Sequence, residues 1–301
     1  MSRYIERAEN LARFLDVTMT LTLDLPSDSV EPWEQLLVIT DTLEDFTRLY
    51  GEPDQEKVIR FLTVDDLNPA SMLTSLAKAR ENARCVRETI SSEMWEQVNT
   101  IYLDVNAAVS GNQIELMPHA FFSRVKFASH QFIGVTDSTM AHGESWHFNR
   151  LGRLLERAEK TSRLLDVKYV KQPDSTPNDF FMDDLQWSSL LKAASAHEMY
   201  RKKFGRIEPR RVAEFLVLDR EFPRAAHYCL LRCEESVHAI SGTKSGTYAN
   251  IAEQRIGRLC ANLDYLSIEE IIERGIHQFL EGLRNDLYAC GDAVTETFFH
   301  M

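Results

Sequence analysis

A fourteen-residue phrase that occurs twice constrains this chain more than any other feature. YIERAENLARFLDV at Tyr4–Val17 returns as LLERAEKTSRLLDV at Leu154–Val167. The copies are identical at Glu6/Glu156, Arg7/Arg157, Ala8/Ala158, Glu9/Glu159, Arg13/Arg163, Leu15/Leu165, Asp16/Asp166 and Val17/Val167. Unrelated segments of average composition would share about one such position. Arg3 and Arg153 extend the match upstream. A second register, shifted by 154, then carries Trp33/Trp187, Leu36-Leu37/Leu190-Leu191, Glu44/Glu198, Gly51/Gly205, Val58/Val212, Phe61-Leu62/Phe215-Leu216, Asp65/Asp219 and Pro69/Pro223. Further on, HQF recurs at His130–Phe132 and His277–Phe279. Solenoid repeats are short; a single doubling across 301 residues reads as a duplicated domain. The expectation is two halves, 1–145 and 146–301, related by a pseudo-twofold axis within one compact unit.

Each half reads as helical. Ile5, Ala8, Ala12 and Leu15, then Leu155, Ala158 and Leu165, follow the three-to-four spacing of an amphipathic helix. Further helices are predicted over 32–50, 55–63, 69–90, 92–109, 118–135, 179–204, 209–217, 223–240, 247–264 and 267–297. Gly51 and Gly205 read as helix stops, and Asn68-Pro69 as a cap followed by proline at the first helical position. The phrase FLxxDxxxP, at Phe61–Pro69 and Phe215–Pro223, reads as a corner between helices. No period-2 alternation bounded by turns is present, so the predicted fold is all-α, two tandem helical-bundle halves. Only 12 glycines and 9 prolines interrupt the pattern.

The net charge of −12 argues against a nucleic-acid partner, which demands clustered Lys and Arg. One basic run stands out, YRKKFGRIEPRR, with Arg201, Lys202, Lys203, Arg206, Arg210 and Arg211. Cations ahead of Gly205 complement a helix C-terminus; an anion-docking patch is the alternative. Cys85, Cys229, Cys233, Cys260 and Cys290 form neither a CxxC pair nor a disulfide framework, and read as reduced core thiols. Trp33, Trp95, Trp146 and Trp187 read as packing anchors. No apolar run approaches membrane-spanning length and no leader pattern opens the chain, so a cytoplasmic location without a membrane partner is expected.

At 100° per residue, Glu6, Glu9, Arg13 and Asp16 share a stripe at the edge of the apolar arc, while Arg3, Arg7 and Asn10 lie further round. Glu156, Glu159, Arg163 and Asp166 repeat it. Glu9–Arg13 and Glu159–Arg163 are i,i+4 pairs worth only ~0.2–0.5 kcal/mol on a surface. Breaking a buried pair instead costs roughly 3–5 kcal/mol, which would hold both copies to one pattern. The stripe therefore reads as partly desolvated, and two arrangements fit. One is an ion-pair clamp between the halves. The other is a pocket where Arg7, Arg13, Arg157 and Arg163 receive a carboxylate or phosphate while the glutamates orient an amine. ARENAR brings Arg80, Glu81 and Arg84 as possible additions to either; its second-half counterpart keeps Glu235 and has His238 in place of Arg84.

The pairs Glu144–His147 and Glu235–His238 have the E-x-x-H spacing that, with two more carboxylates such as Glu9 and Glu159, can hold a di-metal centre. They occupy unequal places in the repeat, so this is a minor alternative, and no cofactor is expected. SGTKSGT at Ser241–Thr247 lacks phosphate-loop spacing and reads as an interhelical loop.

With these residues in view, the chain resembles the Alpha-E family of bacterial proteins. The likeness is carried by YIERAENLARFLDV, ARENAR…EMWEQVN, GESWHFNRLGRLLERAE and GLRNDLYACGDAV. It implies a helical protein with a Glu-Arg motif, often encoded beside or fused to ATP-grasp amide ligases and transglutaminase-like cysteine proteases. It also implies a longer lead-in to the first motif copy, so either a later start or a shortened first helix, frayed around Glu6 and Arg7, is expected. The leading functional expectation is a non-catalytic accessory protein that uses the paired Glu/Arg helices to bind a peptide substrate or partner in a peptide-modification system. The alternative is an enzyme on acidic or peptide substrates, with Glu9 and Glu159 as acid or base and Arg7 and Arg157 holding an anion.

Overall fold

The positions at which helices break decide how this chain is laid out. A computed structural model of the protein describes residues 1–25, 31–170 and 179–299, and every regular element among them is an α-helix. The chain divides into two compact units, Met1–Asn149 and Arg150–Met301.

The first unit contains α1 (Ser2–Thr22), α2 (Glu31–Thr40), α3 (Leu43–Tyr50), α4 (Gln55–Thr63), α5 (Met72–Cys85), α6 (Ser92–Ser110), α7 (Gln113–Leu116) and α8 (Pro118–Thr139). Four of these form a bundle: α1 packs on α5 and α8, and α6 closes the ring against the same two. Leu15, Leu76, Val98 and Phe122 are buried within it. Side-chain caps start its helices. Ser71 Oγ accepts from Thr74 N at 3.3 Å and Ser91 Oγ from Met94 N at 3.1 Å. The short helices α2–α4 pack beside α1, burying Trp33, Leu37, Phe46 and Phe61. The first helix is not frayed at the motif: Glu6 is buried one turn in, and Ser2 Oγ donates to the Asn149 carbonyl at 2.7 Å.

The second unit takes up α9 (Glu144–Val170) from Arg150 onward. It continues through α10 (Asp179–Ala193), α11 (His197–Phe204), α12 (Pro209–Leu218), α13 (Ala226–Ser241), α14 (Ile251–Asp264), α15 (Ile268–Glu273) and α16 (Ile276–Phe298). Here α14 packs on α13 and α16. Thr161 Oγ1 donates to the Arg224 carbonyl at 2.9 Å, tying α9 to the entry of α13. Cys229, Cys233, Cys260 and Cys290 are buried free thiols, as the absence of a disulfide pattern predicts, whereas Cys85 at the end of α5 is a free thiol exposed to solvent and not part of the core. Among the described residues, no helix is long and apolar enough to cross a membrane.

Three predicted helices are in fact two each. The span 32–50 breaks at Asp41 (φ 62°), 179–204 at Ser195 (φ 49°), and 267–297 at Gly275 (φ 89°). Left-handed backbone at Asp and Ser leaves no composition signal as strong as glycine, so periodicity ran through both breaks. Gly51 (φ 74°) and Gly205 (φ 78°) end α3 and α11 as expected. The positions 154 apart also pack alike. Phe46, Tyr50 and Phe61 meet with centroids 5.2–5.9 Å apart, and Tyr200, Phe204 and Phe215 with centroids 5.1–6.0 Å apart. FLxxDxxxP forms a corner in both places. Asp65 Oδ1 accepts from Leu67 N at 2.9 Å and Asn68 Nδ2 donates to the Phe61 carbonyl at 3.0 Å. Asp219 Oδ1 accepts from Glu221 N and Phe222 N at 2.8 and 2.7 Å.

Three of the six cations of the basic run are held in ion pairs: Lys203 with Asp219 at 2.6 Å, Arg211 with Glu208 at 2.9 Å, and Arg210 with Glu269. Replacing Gly205 with Ala is expected to destabilise the protein by about 1 kcal/mol, because an L-residue is strained at that φ. Replacing Ser195 with Gly should leave stability equal or higher. Denaturant midpoints followed by helical circular dichroism check both.

Candidate functional site

An ionisable side chain taken out of water must find an opposite charge, and the repeated helices carry several such groups. Glu6, Glu9 and Arg13 of α1 are 2%, 1% and 3% exposed; Glu156, Arg157 and Glu159 of α9 are also buried. The stripe is thus largely taken out of water, with Asp16 and Arg163 partly exposed at its edge. Each pair described here closes within its own unit.

In the first unit Arg13 pairs with Glu9, and His130 Nε2 stands 3.6 Å from the same carboxylate. Two turns along, Asp16 receives His119 Nδ1 on one oxygen and Lys126 Nζ on the other, both at 2.6 Å. In the second unit Arg163 pairs with Glu159, which also takes Lys160 Nζ and the Tyr288 hydroxyl, each at 2.9 Å. Arg163 donates on to the Tyr288 oxygen at 2.7 Å. Asp166 receives His277 Nδ1 at 2.6 Å and Arg284 Nη1 at 2.8 Å. Arg157 donates to the Pro223 carbonyl at 3.3 Å, and Arg7 lies over the Tyr4 ring at 5.5 Å.

The partners on the late helices match in spacing, while Lys160 stands where the first copy has Asn10. His119, Lys126 and His130 on α8 have the spacing of His277, Arg284 and Tyr288 on α16. The HQF echo therefore sets the wrong register: His119, not His130, holds the place of His277. The two candidates are eleven residues apart, close to three helical turns, so both face the same side of α8. These partners escaped the sequence reading; a basic or aromatic residue at i, i+7 and i+11 in both late helices was the signal available.

Burial alone pushes the Glu159 carboxyl upward, but the charges and hydrogen bonds of Lys160 and Arg163 outweigh it and hold the group at about 2. The Arg163 guanidinium loses stability from burial and regains more from Glu159, so its pKa lies above the ordinary arginine value. Burial and the Glu159 charge push the Tyr288 phenol up. A carboxylate pinned so low stays ionised across the physiological range and has no proton to give.

The other expected members do not join this cluster. Glu81 and Arg84 are exposed and pair with each other at 2.6 Å, because that face of α5 points to solvent. Arg80 instead donates to Asn99 Oδ1 at 2.6 Å and lies over the Tyr102 ring at 5.2 Å, bridging α5 to α6. The di-metal alternative is not supported. Glu235 pairs with Arg232 and, at 3.1 Å, with Arg150; His238 Nδ1 meets Thr243 Oγ1 at 2.7 Å; Glu144 is exposed. Among the described residues, no three His, Cys, Asp or Glu side chains converge as metal ligands.

Glu159 has its carboxyl depressed from 4.5 to about 2 on folding. Its contribution, on the order of 3 kcal/mol, is complete above pH 4.5 and is lost as pH falls through about 2. Glu159→Gln should therefore destabilise the protein at pH 7 and flatten the acid limb between pH 4.5 and 2, measured by denaturation at a series of pH values. Glu81→Ala, on the solvent face, should leave the melting temperature unchanged.

An aligned length of 322 residues is 23% identical between this chain and uncharacterized protein Mb2597 of Mycobacterium bovis. Uncharacterized proteins MT2643 and Rv2567 of Mycobacterium tuberculosis show the same identity. The alignments cover 99% of this chain and 36% of each relative, so the chain spans about a third of their length. No solved structure matches it. The model of the Alpha-E family, a predicted alpha-helical domain with a conserved ER motif, matches residues 1–299. With Glu-Arg present at Glu6-Arg7 and again at Glu156-Arg157, the chain belongs to the Alpha-E family.

Proposed function

We propose that this chain is a non-catalytic helical accessory module. It binds a peptide substrate or partner and presents it to an ATP-grasp amide ligase or a transglutaminase-like cysteine protease. The observation that carries the reading is the charge economy of Glu159. A general acid or base works best with a pKa near the operating pH. Glu159 is held at about 2 by Lys160 and Arg163, and the Arg163 guanidinium that an anionic substrate would need is engaged by Glu159 and Tyr288. The motif thus serves to fix the helices, which leaves binding to other surfaces. The partner classes rest on the family resemblance. The relatives add support, since a segment like this whole chain occupies 36% of each of them, as a module in a longer protein would.

The test is capture of a purified ATP-grasp ligase and a purified transglutaminase-like protease from the same genome on the immobilised full chain at low salt. Retention of at least one, reversed by free chain in solution, is the expected result. Failure to retain either one would count against the accessory role, and hydrolysis or ligation of an acidic peptide by the chain alone would replace it with the enzymatic reading.

A further inference from the structure

The second unit holds a slot between α14 and α16 that the motif helices do not explain. It is a cavity of about 250 Å³, lined by Gln254, Arg255, Arg258 and Asn262 on α14 and by Asp286 and Cys290 on α16. Arg255, Arg258 and Asn262 follow one another at three- and four-residue steps, so they form one stripe along α14. Both arginines are exposed. Among the described residues neither has a carboxylate within ion-pair distance, in a chain of net charge −12.

The first unit has a matching place between α6 and α8. In the register that pairs His119 with His277, Arg255 corresponds to Gln97 and Asp286 to Ala128. Gln97 Nε2 donates to the Ala128 carbonyl at 3.1 Å, a bond that staples α6 to α8. The groove is open in both units, since the first also holds a cavity there, of about 300 Å³, lined by Asp104, Arg124 and Ala128. What differs is the stripe that lines it: Arg255, Arg258 and Asn262 stand where the first unit has Gln97, Thr100 and Asp104.

We propose that this slot binds a carboxylate of an acidic peptide, an inference that rests on the reading of the chain as a peptide-binding module. Guanidinium groups are planar forks that match a carboxylate. Asn262 and Gln254 supply further amide donors beside them, and Asp286 on the facing helix accepts from the peptide's own N–H groups. The negative charge of Asp286 opposes a dianion more than a monoanion, and 250 Å³ is the size of a side chain, not a nucleotide. A monovalent carboxylate is therefore favoured over phosphate.

The experiment titrates the full chain alone with N-acetylated, C-amidated tri-glutamate and tri-glutamine, so that only the side chains differ in charge, and with inorganic phosphate, by isothermal calorimetry, so that it does not depend on the ligase or protease. Saturable binding of tri-glutamate, with no binding of tri-glutamine, is expected. Affinity should fall about tenfold or more in Arg255→Gln/Arg258→Gln and less in Arg258→Lys, which keeps charge but loses the fork. Unchanged melting temperatures would show that these exposed variants remain folded. No binding of tri-glutamate, equal binding by the double variant, or phosphate binding as tightly as the peptide would each overturn the proposal. Retained capture of the ligase or protease alongside any of these would leave the accessory role standing.

Discussion

Burying charge on the first helix of each unit is the constraint on which the rest of the structure depends. Glu9 and Glu159 are almost wholly shielded from water, and each ion would cost several kcal/mol there without a partner. An arginine one turn along the same helix supplies that partner in both cases. The pair is not self-sufficient, since a buried carboxylate has more than one lone pair to satisfy. His130 in one unit and Tyr288 in the other come from the last bundle helix to meet it. The helix that carries the motif is thereby tied to the helix that ends the unit, and the bundle closes around that contact.

The second ionic layer fixes the same two helices in rotation and register. Asp16 and Asp166 each take a histidine on one oxygen and a lysine or arginine on the other, two turns apart on the partner helix. Two contacts along one groove resist a slip that a single pair would allow. The short helices α2–α4 and α10–α12 add their own aromatic trios beside each bundle, and the Asp65 and Asp219 corners turn the chain back toward it. Within this frame the charged motif meets side chains of the late helix in each unit, with Arg163 engaged by both Glu159 and Tyr288.

The units differ where fastening is not needed. Both units leave a cavity in the groove between these helices, but Gln97 reaches across to a carbonyl in the first, while Arg255 in the same place of the second unit faces the cavity beside Arg258. Divergence at a groove between helices leaves the bundle intact because the core beneath, with Leu259 and Cys290, stays apolar and buried. A change at Glu159 has no such freedom, since a neutral or smaller group would strand Lys160 and Arg163 in a region of little water.

Much of the helical fold was readable in the chain itself. The three-to-four spacing around Ile5, Ala8, Ala12 and Leu15 commits α1 to a helix with one apolar face, and the doubled phrase commits a second helix to the same face. Gly51 and Gly205 announce their stops because only glycine takes that backbone without strain. Asp41 and Ser195 do not announce theirs, because neither residue type marks left-handed backbone as strongly as glycine does. Sequence also showed that Glu9 and Arg13 belong together, since neighbours four residues apart must meet on a helix. It could not show how deeply the pair is buried, nor that His119 rather than His130 answers His277. Both depend on which helix lies alongside, and a helix repeats its face closely enough every eleven residues that two candidates look alike from sequence. Periodicity determines the faces of the helices; only their packing against one another decides which charges meet.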